Sequence, residues 1–92
     1  MTLSEFEREV FETEGFRVKV TDKESGRDIR DDRSGFEKYD YRRKARSNWT
    51  VGKWKRERFN GSYPGFDVEI LDAMSEPVTG QMKLKNVRSD YE

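Results

Sequence analysis

Two periodicities divide the chain. Between residues 2 and 15, Leu3, Phe6, Val10 and Phe11 recur at the three- and four-residue spacing of a helical face, within an arc roughly 140° wide at about 100° per residue. Thr2 is placed to cap that helix, with Glu5 three positions on as the reciprocal partner of a capping box. Gly15 supplies a residue that tolerates the left-handed conformation at the C-terminus, and Phe16 follows as the apolar contact that accompanies such caps. The outward face carries Glu5, Glu7, Glu9, Glu12 and Glu14 against Arg8, the pattern of a solvated acidic surface.

From Phe16 the period shortens to two. Phe16, Val18 and Val20 alternate with Arg17 and Lys19 in a half-buried strand, which the turn residues Asp22 to Gly26 close. Arg27 to Lys38 is charged, with Ile29 and Phe36 as its apolar anchors, and reads as a long loop or a weak edge strand. Tyr39, Tyr41, Arg43 and Ala45 fit either a second alternating segment or a short helix. Trp49 to Phe59 reads as a strand with a bulge at Gly52, and Asn60-Gly61 opens a connection running to Gly65. Phe66, Val68 and Ile70 then resume the alternation. After turn signals at Glu76-Pro77 and Thr79-Gly80, Met82 and Leu84 alternate with Lys83 and Lys85 in a final strand reaching toward Val87.

A helix over 2–15 and a β-rich stretch over 16–90, with no repeat or linker, predict one α+β domain spanning 1–92. The helix would pack on a strongly bent antiparallel sheet or small barrel of four to five strands. The series Trp49-Thr50-Val51-Gly52-Lys53-Trp54, Tyr63-Pro64-Gly65-Phe66-Asp67-Val68-Glu69-Ile70 and Gly80-Gln81-Met82-Lys83-Leu84 resembles the hairpins of SH3-like β-barrel modules over residues 47–90. It lacks the acidic-aromatic loop of peptide-binding SH3 domains, so the resemblance implies a barrel and no proline-rich ligand. In so broad a class the fold implies little about function.

Composition narrows the chemistry. The 92 residues are 41% charged and 32% hydrophobic, and Leu, Ile, Val and Phe together number 18, near the border of disordered sequences. Twelve aromatics and a net charge of zero argue instead for a folded chain with a thin core. Without cysteine there is no disulfide framework, thiolate nucleophile or zinc ribbon, and without histidine the commonest metal ligand and proton shuttle is missing. No phosphate-cradling glycine loop, dinucleotide fingerprint or nucleophile elbow occurs. Asp22 to Gly26 departs from a calcium loop, with glycine fifth instead of sixth and Arg33 at the twelfth position. The adjacent Asp31 and Asp32 would diverge in an extended segment. No catalytic residue, cofactor or metal is therefore assigned, and the chain is expected not to be an enzyme. The absence of an apolar run long enough to span a bilayer, of an export signal and of cysteine points to a cytoplasmic protein without membrane association.

Neutrality conceals local imbalance. Residues 1–16 sum to −4, whereas residues 42–58 sum to +7, in two clusters, Arg42-Arg43-Lys44-Ala45-Arg46 and Lys53-Trp54-Lys55-Arg56-Glu57-Arg58. With Tyr39 and Tyr41 before them, Tyr39, Tyr41, Arg42, Arg43, Lys44, Arg46, Lys53, Trp54, Lys55, Arg56 and Arg58 form a candidate basic aromatic binding patch. The core has a claim on Trp49, and Trp54 suits either role. An acidic helix and a basic surface on one chain suit protein–protein association, including a homodimer in which opposite patches meet. The alternative is an accessory domain for RNA or single-stranded DNA, since cations contact phosphates and rings stack on bases. A pI of about 6.4 favours the former. A histidine-free phosphodiesterase is a third alternative, with Tyr41, Arg43 and Arg46 its first residues to test.

Overall fold

Helix α1 (Leu3–Glu14) lies where the periodicity places it. Thr2 and Glu5 form the complete capping box: the Thr2 hydroxyl accepts from the Glu5 backbone N–H, and the Glu5 carboxylate accepts from that of Thr2. At the other end Gly15 adopts φ 84° and donates its N–H to the Phe11 carbonyl. The computed structural model describes residues 1–27, 29 and 35–91, so part of the charged stretch predicted as loop or edge strand, including Asp31, Asp32 and Arg33, lies outside the described residues.

After the cap the chain reverses into β1 (Arg17–Asp22), which pairs antiparallel with β2 (Phe66–Leu71), setting Val18 opposite Ile70 and Val20 opposite Val68. These four valine and isoleucine side chains are buried on the face that α1 covers. The Tyr91 hydroxyl closes one end of the ladder, accepting from the Arg17 N–H at 3.0 Å and donating to the Leu71 carbonyl at 2.5 Å. Two strands alone are marginal, and the mass of the core is aromatic. Phe6 sits among Tyr63, Phe36, Tyr39 and Phe59, with centroids between 4.8 and 6.2 Å away, while Trp54 stands edge-on to Phe16 at 5.4 Å.

The class is α+β, but among the described residues the sheet has two strands and does not close, so the four-to-five-strand barrel is not formed. The expected strand over 49–59 is helical. Thr50 caps α2 (Val51–Lys55), and the helix widens into a π-helical turn over Arg56–Asn60. The spacing accounts for the outcome once the widened turn is known: Val51, Trp54 and Phe59 are separated by three and five positions. A strand would send Val51 and Trp54 to opposite faces, whereas a helix with one widened turn brings all three inward. Asn60-Gly61 consequently ends a helix and does not open a hairpin. The expected final strand survives as an isolated bridge between Thr50 and Lys83, beyond which α3 (Leu84–Ser89) buries Leu84 and Val87 at helical spacing. Tyr39 to Ala45 forms neither the strand nor the helix considered for it.

One helical assignment also changes. Phe11, counted with the apolar face of α1, is 43% exposed and rests on the Tyr91 ring at 6.1 Å. At about 100° per residue it lies roughly 80° from Leu3, at the margin of the arc. Glu14, counted with the solvated face, is fully buried, lying within about 40° of both Leu3 and Val10.

Candidate functional site

The burial of Glu14 organises the charged residues around it. Its Oε2 accepts from Arg58 Nη1 at 2.5 Å and from the Tyr39 hydroxyl at 2.5 Å; its Oε1 accepts from Arg88 Nη2 at 2.9 Å and the Ala45 N–H at 2.8 Å. Trp54 Nε1 extends the chain by donating to the Tyr39 oxygen at 3.1 Å. A fully buried carboxylate is tolerable only when its charge is matched and its lone pairs are filled, and here four donors and two guanidinium groups do both. Among the described residues no buried side-chain nitrogen or oxygen lacks a partner.

The surroundings shift the partners in different directions. Burial, and then the hydrogen bond to Glu14, push the Tyr39 phenol well above its ordinary range. For Arg58, burial opposes the charged form, but Tyr39 and Glu14 outweigh it and the pKa rises. For Arg88, burial dominates over Glu14 and the pKa falls. Both guanidinium groups remain charged at neutral pH, since arginine starts so high. The carboxylate thus sits against two positive charges.

The same two arginines tie down a stretch of backbone with no regular structure of its own. Arg58 Nη1 donates to the Arg43 carbonyl at 2.7 Å, and Arg88 donates to the Ala45 carbonyl at 2.9 Å and to the Glu14 carbonyl at 2.5 Å. With Ala45 bonded to Glu14 through its N–H as well, the segment carrying Arg42, Arg43, Lys44 and Arg46 is pinned at its middle while those four side chains stand exposed.

The predicted patch divides in two. Tyr39 and Trp54 are buried, at 4% and 0% exposure, and present no ring face to a ligand. Arg58 is internal through Glu14 and lies 4.3 Å above the half-buried Tyr41 ring. Arg42, Arg43, Lys44, Arg46, Lys53 and Arg56 are exposed, and Lys55 is half-buried. None of these seven side chains has an ion-pair partner among the described residues. Trp49 is half-buried, with the Lys53 ammonium 4.8 Å and the Arg58 guanidinium 5.6 Å from its ring. Tyr41 donates its hydroxyl to the Glu57 carbonyl at 3.4 Å, while Arg43 and Arg46 are exposed.

The structure adds two cations that local charge counting left outside the block. Lys85 donates its N–H to the Ser47 carbonyl at 3.1 Å, Leu84 donates to Trp49 at 2.8 Å, and Lys83 bridges Thr50, so residues 83–85 lie beside 47–50. Leu84 is buried between two exposed lysines. The alternation of Lys83, Leu84 and Lys85 was visible in the sequence; its neighbour was not.

On the acidic side, four of the five α1 carboxylates have a partner within the molecule, although only Glu14 is buried. Glu5 belongs to the capping box, Glu7 accepts from the Val20 N–H at 3.3 Å, Glu9 accepts from the Tyr39 N–H at 3.3 Å, and Glu14 is internal. Glu12 remains exposed and borders a cleft of about 190 Å³ with Asp40 and Arg42. Among the described residues no cluster of three or more acidic side chains is placed to hold a metal ion, and no helix is long and apolar enough to cross a membrane. No protein-family model, curated protein or solved structure matches the chain.

Proposed function

We propose that the chain is a non-enzymatic binding module that acts through protein–protein association, with the exposed part of the basic block as its docking face. The observation carrying this reading is the asymmetry of pairing: four of the five α1 carboxylates accept from the cap, backbone donors or Glu14's arginines, while Arg42, Arg43, Lys44 and Arg46 project from a pinned segment without ion-pair partners among the described residues. Holding the backbone that carries such side chains in place before binding lowers the ordering cost of association. A homodimer joining the α1 surface to the basic face draws less support, because four of the five α1 carboxylates already have partners within the molecule.

Single-stranded nucleic acid is the alternative ligand. Two of the four rings near the block are internal, and the other two lie under Arg58 or Lys53, so stacking platforms are scarce. Titration of polyglutamate, single-stranded DNA and duplex DNA at about 20 and 200 mM salt tests the reading. Polyglutamate is expected to bind at low salt and to be lost in the triple variant R42A/R43A/R46A. Binding of nucleic acid with no binding of polyglutamate would overturn it.

A further inference from the structure

Resting on that reading, we infer that the docking face extends from the basic block onto residues 80–85, which pair with residues 47–52, and that its ligand is an extended acidic segment of a partner protein. These two stretches run antiparallel and are joined by four backbone hydrogen bonds: Lys85 to Ser47, Leu84 to Trp49, Val51 to Met82 and Gly52 to Gly80, at 2.8 to 3.1 Å. The close approach of Gly52 makes this join tight, since a Cβ there would meet the Gly80 carbonyl oxygen at 3.2 Å. Cations line this join. Lys85 lies beside Ser47, the residue after Arg46, and Lys83 bridges Thr50, whose hydroxyl accepts from the Lys53 N–H. All four side chains are exposed, and none has an ion-pair partner among the described residues.

Charge complementarity selects carboxylates, and the setting selects a short protein segment over a long nucleic acid. Four cations on a two-stretch ribbon match a few carboxylates on an extended chain, where side chains two apart share a face. A nucleic acid laid on the same face would find few bare rings to stack on, since Trp49 lies under the Lys53 ammonium and Tyr41 under Arg58.

The test is a titration of a ten-residue peptide of alternating Glu and Ser into the full chain at low salt, followed by intrinsic tryptophan fluorescence and checked by calorimetry. The double variant K83A/K85A is expected to bind about tenfold more weakly with an unchanged melting temperature. K23A, in the turn after β1, is expected to bind like the parent. Peptide binding that is equal in K83A/K85A and the parent overturns the composite face while leaving the proposed function standing. A peptide that fails to bind, with duplex or single-stranded DNA binding instead, overturns both.

Discussion

The acidic helix and the basic block are of opposite charge and similar length, yet the fold treats them in opposite ways. Along α1 three carboxylates turn toward the molecule: Glu7 and Glu9 satisfy strand and loop N–H groups, and Glu14 is buried against Arg58 and Arg88, while Glu5 and Glu12 stay exposed. Along residues 42–56 the cations turn away, leaving their backbone to be held by others. A neutral chain can therefore present a basic face. What decides it is which members of each set the interior consumes.

The sharpest way to break this contrast is to remove the group on which it turns. Glu14→Gln leaves two guanidinium groups without a counter-charge, and breaking a buried pair costs about 3–5 kcal/mol; urea unfolding should show a loss in that range. A loss under about 1 kcal/mol would mean that Glu14 does not anchor the network. Phe6→Ala, in the aromatic core beneath the same helix, should cost a comparable 3–5 kcal/mol or so and serves as the yardstick for a purely apolar deletion.

Next in size is the alkaline limb of stability. Burial, followed by the Glu37 charge, pushes the Tyr63 phenol up to about 12, and burial with Glu14 raises Tyr39 further. A raised folded-state pKa means that the native protein holds its proton after the unfolded chain has released one. The contribution is thus fully present below about pH 10, the unfolded tyrosine value, and is lost as pH rises through the folded values. Denaturant unfolding between pH 8 and 12 should show constant tyrosine-linked stability followed by a decline, and Tyr39→Phe should make that decline shallower.

Smaller effects should appear at the surface. Thr2→Ala removes the cap of α1 at about 1 kcal/mol. Arg42→Ala and Arg43→Ala should each change stability by no more than about 0.5 kcal/mol, because their side chains make no internal ion pair among the described residues. A larger loss from either would place it with the internal charges and blur the contrast between the two regions.

Much of the fold followed from period alone. The capping box and Gly15 bounded α1, and the alternations through Val18 and Val68 marked the two strands that do pair. Legibility stopped where the apolar residues were too sparse to define a period: Val51, Trp54 and Phe59 admit a strand until the widened turn aligns them, and Leu84 and Val87 identify a helix only against an alternation that points the other way. The candidate patch was legible as charge and obscure as surface. Its chain positions showed eight cations between residues 42 and 58, but not that Arg58 is internal or that Lys83 and Lys85 lie alongside.

The sequence by itself determined what chemistry is available: no cysteine or histidine, balanced charge, and a thin core that must lean on its aromatics. It also determined the local elements whose signals need only a few neighbouring residues. The tertiary structure alone decided which charges face water, because pairing Glu14 with Arg58 and Arg88 depends on contacts 44 and 74 residues apart. A carboxylate on an apolar face is unfavourable until distant partners arrive, and when they do, the remaining cations are left at the surface.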